Sequence, residues 1–310
     1  MSMSEDRHLF GPIPSRRLGL SLGISPILKK TCNYSCVYCQ LGRTNKMTNE
    51  RQEYVPLEEI LAEFRAFLQK GYAYDVITIV GEGEPTLALN LGQLIIALQE
   101  LTDKPIAVIT NSALLSEKEV RAALMLADIV LPSLDAYDEK SFRKVNRPYG
   151  RIKFYEVYEG MRLFSQEYLG QLWLEVMLVK GLNEDQHALR QLKALIDKLK
   201  YDRLYLNIPV RAPAESWVSP PSPAVVQKAA QLLGAMTIDS LADGSFYSEI
   251  VDNYEAVLSI IGRHPMNQHE IEGFLASRKC VDVESVWIKL KQNEDVEVVS
   301  YKGYDTYRLK

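Results

Sequence analysis

Three cysteines lie within eight residues of this 310-residue chain, at Cys32, Cys36 and Cys39, whereas Cys280 stands alone far downstream. Their spacing is C-x3-C-x2-C. In a reducing compartment, clustered cysteines indicate metal ligation rather than a disulfide. Four thiolates normally hold an iron–sulfur cube, so three would leave one iron open to an external ligand. The alternatives are chance clustering or a zinc site, but the downstream histidines lie far off in sequence and outside any typical zinc spacing.

A glycine-rich loop follows the apolar run Val76–Val80. Its sequence is Gly81-Glu82-Gly83-Glu84-Pro85-Thr86. Glycine lets a backbone turn tightly and approach a ligand closely, and proline fixes the chain while removing a donor. Carbonyl groups exposed by such a loop can accept hydrogen bonds from an ammonium group. We therefore expect Gly81, Gly83, Glu84 and Pro85 to bind a cofactor, although the same composition also suits a plain turn.

Polar side chains follow several apolar runs at the points where strands are predicted to end. Those that we expect to contact a cofactor or substrate are Asn111, Ser133, Asp135, Lys180 and Asn207. Each of them also suits a cap, a turn or a salt bridge. Glu175 lies within a predicted strand and needs a partner, because an unpaired buried carboxylate is costly. The cations that would bind an anionic substrate group, or else face solvent, are Arg16, Arg17, Lys180 and Arg211.

Apolar runs rich in Val, Ile and Leu alternate with amphipathic stretches along most of the chain. The predicted strands are Leu20–Ile24, Val76–Val80, Ile106–Thr110, Ile129–Leu134, Leu172–Val179 and Leu204–Ile208. Such runs are typical of parallel strands buried on both faces, and the stretches between them have helical spacing. This alternation predicts an α/β fold, either a partial (β/α)6 barrel or an open sheet. Ligands then bind beyond the carboxyl ends of the strands.

The pattern changes near Ile238–Ser245, so we predict one domain over residues 1–245 and a second over 246–310. Three predicted helices and two short strands follow, an order typical of a winged helix-turn-helix, and Trp287 and Leu290 should lie on the inner face of the third helix. This segment carries eight basic and eleven acidic residues, a net charge of −3. Because phosphate-binding modules are usually basic, we expect it to bind a protein or peptide, or to cover the barrel mouth. An iron–sulfur regulator that binds DNA is the alternative.

Composition is that of an ordinary soluble globular protein, with 47% apolar and 25% charged residues and a formal charge of −4. It gives no global basic field that would point to nucleic acid. The sequence contains no run of eighteen apolar residues, so we expect no membrane span. The N-terminal segment lacks the apolar stretch of a signal peptide. We therefore expect a cytoplasmic protein with no membrane partner.

The cysteine spacing, with an aromatic residue directly before the third cysteine, resembles the signature of the radical S-adenosylmethionine (SAM) superfamily. The resemblance implies a partial (β/α)6 barrel of the TIM type. It also implies a [4Fe-4S] cluster on the three cysteines, with SAM bound to the open iron through its amino and carboxylate groups. Tyr38 would pack against the adenine of SAM. The Gly83-Glu84-Pro85 core resembles the family motif that cradles the SAM amino group.

By the same resemblance, the reduced cluster cleaves SAM to methionine and a 5′-deoxyadenosyl radical that abstracts hydrogen from a substrate. An oxidoreductase-like enzyme of this kind implies an electron donor such as flavodoxin or ferredoxin. Phrases within residues 10–240 further resemble the wybutosine-synthesis-related branch, namely Gly11–Gly19, Gly83–Leu87, Leu131–Asp135, Asn146–Pro148 and Leu206–Arg211. The wybutosine enzymes hold a second cluster on additional N-terminal cysteines, and no cysteine precedes Cys32 here. An RNA base and a peptide or protein side chain both stay open as substrates.

Overall fold

The computed structural model describes residues 8–310 without Arg16, 238–245, Tyr247, Glu249, Arg263 and Lys302. Within these residues, eight strands form the main sheet. They are β1 (Leu9–Ser15), β2 (Gly19–Ile24), β5 (Val76–Ile79), β6 (Ile106–Thr110), β7 (Ile129–Pro132), β8 (Gln171–Met177), β9 (Arg203–Asn207) and β10 (Met236–Thr237), while β3 (Thr31–Cys32) and β4 (Lys46–Met47) form a separate parallel pair. Within the main sheet, neighbouring strands from β2 to β10 pair in parallel, and their order in the sheet follows their order in the chain.

The main sheet is open, because β1 and β10 lie at opposite edges. Six of its parallel strands match the predicted runs: β6 has the predicted bounds, and the ends of the others differ by at most two residues. This confirms the mixed α/β class with a parallel sheet, and the barrel is not closed. Strand β1 was not predicted because its sequence holds two prolines and its pairing with β2 shifts register between Phe10 and Ile13, which hides any regular pattern.

Helices between the strands pack their apolar faces on the sheet. They are α1 (Leu57–Gln69), α2 (Leu91–Gln99), α3 (Lys118–Leu124), α4 (Glu139–Val145), α5 (Phe154–Glu167), α6 (Gln186–Ile196) and α7 (Pro223–Leu233). Helix α6 shows the pattern: Leu189, Leu192 and Ile196 are buried, and Asp185 caps its start by accepting from the Ala188 amide at 2.8 Å. Burying each such side chain stabilises the fold by about 1.5–3 kcal/mol.

The C-terminal unit, residues 246–310, has a hydrophobic core of its own. Its elements are α8 (Asn253–Ile261), β11 (Met266–Asn267), α9 (Gln268–Ser277), α10 (Val283–Gln292), β12 (Val296–Tyr301) and β13 (Tyr304–Leu309). The strands form an antiparallel sheet in the order β11, β13, β12. Leu290 on α10 is buried and Trp287 packs on Tyr307 with ring centroids 5.2 Å apart, as predicted for the inner face of this helix. The predicted boundary at 238–245 lies outside the described residues.

The C-terminal unit packs against the edge of the main sheet. Ile13 of β1 packs on the core of the unit, and the Tyr301 hydroxyl donates to the Pro209 carbonyl at 2.9 Å. These contacts place the unit beside β1 and the segment after β9. Within the described ranges, no helix is both long and apolar enough to cross a membrane.

Candidate active site

The three clustered cysteines lie on one loop, residues 31–44, which we call the cysteine loop. Cys32 ends β3, and the Cys39 amide donates to the Cys36 carbonyl at 3.1 Å, which closes a tight turn. All three residues line one cavity of about 190 Å³, the cysteine cavity. Among the described residues, no three His, Cys, Asp or Glu side chains lie close enough together to bind a single metal ion. The three cysteines nevertheless line the wall of the same cavity.

Side-chain amides point at two of the sulfurs. Asn111 Nδ2 lies 3.5 Å from the Cys32 sulfur, and Asn146 Nδ2 lies 3.6 Å from the Cys36 sulfur. The cysteine residues keep part of their surface open to the cavity, yet burial of the thiols raises the pKa of Cys32, Cys36 and Cys39. Such thiols stay protonated until a cation is bound, since coordination to a metal removes the thiol proton. Their surroundings therefore suit metal ligands better than free nucleophiles.

The Gly-Glu-Pro loop packs directly on the cysteine loop. A Cβ atom at Gly83 would lie 1.7 Å from the Thr31 carbonyl oxygen, so only glycine fits there. The Glu84 amide donates to the same oxygen at 3.1 Å. Gly81 and Gly83 line the cysteine cavity together with Asn111 and Ser133, whereas Pro85 is buried behind the cavity wall at the start of a 3-10 turn. The structure thus brings this predicted group against the cysteines.

Glu84 is buried and organises this wall. Its carboxylate accepts hydrogen bonds from the Thr86 amide at 3.0 Å, the Thr110 hydroxyl at 2.7 Å and the Asn111 amide at 2.7 Å. Burial raises the pKa of Glu84, although each of these donors favours the ionised form. The side chain therefore joins the loop to the end of β6, and its carboxylate oxygens are occupied by the protein itself.

Tyr38 lines the cysteine cavity and is held from behind by Asp135. The Tyr38 hydroxyl donates to the Asp135 carboxylate, which also accepts from Asn146 Nδ2 at 2.8 Å and the Met177 amide at 2.8 Å. Burial raises the pKa of Asp135. Asp135 thus contacts Tyr38 rather than the open cavity. Asn146, which contacts both Asp135 and Cys36, was not among the predicted site residues.

A second cavity of about 350 Å³, the lateral cavity, adjoins the first and shares Tyr38, Cys39 and Gly81 with it. Glu175 lines it and forms an ion pair with Arg17, so the buried carboxylate has the partner that the sequence required. Asn207 Nδ2 lies 3.2 Å from Glu175 Oε1. Asn207 is therefore placed in the lateral cavity rather than beside the sulfurs.

The remaining predicted cations do not form an open anion site among the described residues. Arg211 binds Glu270 of the C-terminal unit through two nitrogen–oxygen contacts of 2.8 and 2.9 Å, and it also contacts His264 Nε2 at 2.6 Å. Lys180 is exposed and lines neither cavity. Arg16 lies outside the described residues. Arg211 therefore joins the segment after β9 to the C-terminal unit.

The open parallel sheet and the cavity with three cysteines agree with a family model: that of the radical SAM superfamily matches residues 27–192. The chain belongs to this superfamily. Within it, the chain is 36% identical over 276 residues to a UPF0026 protein of Methanocaldococcus jannaschii, which spans 86% of this chain and 85% of that protein. A UPF0026 protein of Synechocystis is 37% identical over 204 residues, spanning 66% of this chain and 76% of that protein.

Among solved structures, the crystal structure of a radical SAM methyltransferase from Sphaerobacter thermophilus resembles this fold with a TM-score of 0.53. The two are 17% identical, over 70% of this chain and 65% of the other, so the likeness concerns the fold alone. The closer likeness to the wybutosine-synthesis-related branch stays a prediction.

Proposed function

We propose that this chain holds a [4Fe-4S] cluster on Cys32, Cys36 and Cys39 and binds SAM at the iron that these thiols leave open. One observation carries the proposal: the three thiols share a single cavity with the glycine-rich loop, at the carboxyl ends of β5 and β6. Membership of the radical SAM superfamily implies both groups. The amide donors at Cys32 and Cys36 suit coordinated thiolates, which such hydrogen bonds stabilise.

When bound and reduced, the cluster supplies the electron that cleaves SAM to methionine and a 5′-deoxyadenosyl radical. The protein itself binds, orients and excludes water. In this proposal, backbone carbonyls near Gly81 and Gly83 accept from the SAM amino group, and the Tyr38 ring lies against the adenine. Asp135 fixes that ring, because its carboxylate accepts the Tyr38 hydroxyl hydrogen bond.

We further propose that the lateral cavity receives the substrate atom from which hydrogen is removed. The cavity adjoins the cysteine cavity through Tyr38 and Gly81, and its volume of about 350 Å³ is at the small end for ligand sites. Its cation Arg17 is paired with Glu175, and Arg211 is paired with Glu270. That balance favours a neutral group, so a single RNA base or a neutral peptide or protein side chain is the substrate class that we propose.

The C-terminal unit is, in our proposal, a winged helix that covers the active site or binds a protein partner. The order helix, strand, two helices and two strands supports that assignment, as do the contacts of the unit with β1 and with Arg211. An iron–sulfur regulator would instead need this unit to bind phosphates, and its net charge of −3 opposes that. We also propose a cytoplasmic setting and reduction by a small protein such as flavodoxin or ferredoxin.

Anaerobic reconstitution tests the proposed function. The wild-type protein should bind about four irons and, with SAM and dithionite, release 5′-deoxyadenosine. Cys36→Ala should lose the visible absorbance of the cluster, while the matched control Cys280→Ala should keep it, because Cys280 lies in the C-terminal unit outside the cysteine cavity. A normal cluster in Cys36→Ala, or no binding and cleavage of SAM by well-reconstituted protein, would refute the proposal.

A further inference from the structure

Arg308 of β13 reaches out of the C-terminal unit and is buried against the cysteine loop. Only 5% of the residue is exposed. Its Nη1 atom lies 3.4 Å from the Gln40 carbonyl, 3.2 Å from the Ala212 carbonyl and 3.0 Å from the Pro213 carbonyl. Its Nε donates to Glu297 at 2.8 Å. One guanidinium therefore joins the cysteine loop, the segment after β9 and the C-terminal unit.

The position of this guanidinium matters because Gln40 directly follows Cys39. At Gly42 of the same loop, whose φ is +86°, an added Cβ would lie 3.6 Å from Arg308 Cζ and 3.5 Å from Lys30 Nζ. Arg308 and Lys30 thus lie together beside the loop segment that carries the third thiol. Lys30 is itself buried, and its carbonyl accepts from the amides of Asn45 and Lys46 at 3.1 Å.

We propose that Arg308 is a positioning residue of the iron–sulfur centre, which holds the loop after Cys39 and places a positive charge beside the loop segment that follows Cys39, so that the C-terminal unit helps to set the reduction potential of the cluster. This inference rests on the proposed function, because it needs a cluster on the three cysteines. It concerns a residue far from the cysteine signature in sequence, on a different structural unit.

Two separable effects follow from these contacts. The hydrogen bond to the Gln40 carbonyl holds the cysteine loop, and those to the Ala212 and Pro213 carbonyls fix the guanidinium on the segment after β9. Bonds from a charged donor are the stronger ones among buried polar contacts. The charge acts independently: reduction adds one electron to the cluster, and a nearby cation in a poorly solvated site stabilises the more negative state. Removing Arg308 should therefore both loosen the loop and make the reduction potential more negative.

The test uses anaerobically reconstituted full-length protein. Dithionite titration measures the reduction potential of the cluster, and transfer of iron to a chelator measures how fast the protein releases iron. Arg308→Met should shift the potential to more negative values and release iron about tenfold faster. Arg308→Lys should keep the potential close to wild type but release iron faster, because lysine retains the charge and loses the fork of donors. Arg278→Met is the matched control, since Arg278 bonds to Ser248 and Asn253 within the unit.

A second variant keeps the test decisive if Arg308→Met folds poorly. Glu297→Gln removes the carboxylate that partly neutralises Arg308 while leaving the contacts with the three carbonyls, so the potential should shift to less negative values. Equal potentials and iron release in Arg308→Met and Arg278→Met, or an unshifted potential in Glu297→Gln, would overturn this inference alone. Wild-type protein that takes up no iron would overturn the proposed function and the inference together.

Discussion

Gly83 is the residue whose replacement should most directly disturb the candidate site. In Gly83→Ala the new Cβ would meet the Thr31 carbonyl oxygen at 1.7 Å, and neither backbone segment can rotate away as a side chain does. We expect an overpacking cost of about 1–3 kcal/mol and a clear fall in bound iron, because Cys32 must shift with Thr31. Thermal unfolding and iron content after reconstitution measure both effects.

The matched control for this substitution is Gly273→Ala. Gly273 lies within α9, and an added Cβ there has no neighbouring atom within 4 Å. Alanine in a helix interior should stabilise by about 0.5–1 kcal/mol and leave iron content unchanged. Gly83→Ala with wild-type stability and iron content would show that the two loops do not pack as described.

Tyr38 should affect SAM binding without affecting the cluster. Tyr38→Phe keeps the ring but removes the hydrogen bond to Asp135, so the buried carboxylate keeps only Asn146 and the Met177 amide as donors. The ring then loses its fixed orientation, and the dissociation constant for SAM should rise about fivefold, as expected for one hydrogen bond. Titration with SAM under anaerobic conditions measures it.

The exposed Tyr155 provides the control for this prediction, since Tyr155→Phe removes a hydroxyl from solvent. Its SAM affinity and its iron content should equal those of the wild type. Loss of iron in Tyr38→Phe would instead mean that the Tyr38–Asp135 pair supports the cysteine loop rather than the ligand.

At the scale of elements, the Arg211–Glu270 pair joins the segment after β9 to α9. Both side chains are almost buried, with 10% and 12% of their surface exposed. Arg211→Met would leave the Glu270 carboxylate buried without its cation, which costs about 3–5 kcal/mol. We expect the amides of α9 and β13 to exchange hydrogen faster, while those of α6 in the main sheet domain stay protected.

Arg190→Met is the control for this change, because Arg190 lies on α6 and is exposed. It should leave hydrogen exchange unchanged throughout. If Arg211→Met matches this control, the C-terminal unit does not depend on the ion pair for its attachment.

The sequence predicted the elements that its local patterns define and missed those that depend on distant contacts. The parallel strands appear because each is a continuous buried run, and β1 does not because two prolines interrupt it. The cysteine triplet and the Gly-Glu-Pro loop each lie within one short segment, so the local sequence and its resemblance to the family motifs identified them. Asn146 and Arg308 act across 110 and 268 residues, and no local pattern marks such partners.

The same reasoning explains which predicted residues face away from the cysteine cavity. Position after a strand predicts the edge of the sheet but not the direction of the side chain. Asp135 turns inward, where Tyr38, Asn146 and the Met177 amide surround it. Lys180 comes three residues after β8 ends and is already at the surface.

At the scale of the whole molecule, charge should decide whether the protein binds DNA. The chain has a net charge of −4 and the C-terminal unit −3, so phosphate contacts have little electrostatic support. We expect the full-length protein to show no tight binding of random duplex DNA even at low ionic strength, where counterion release makes such binding strongest. A fluorescence anisotropy titration at two salt concentrations measures it, and tight, salt-sensitive binding would revive the regulator hypothesis.

The contact between Arg308 and Gln40 spans 268 residues of sequence. During synthesis, the cysteines leave the ribosome long before β13 exists, and the loop that carries them then lacks the guanidinium that later holds it. Iron and sulfide delivered to the nascent chain would therefore reach a cysteine loop that Arg308 does not yet contact. For the proposed cluster we therefore expect an order of maturation, in which the cysteine loop holds the cluster firmly only once the C-terminal unit has been translated and has docked.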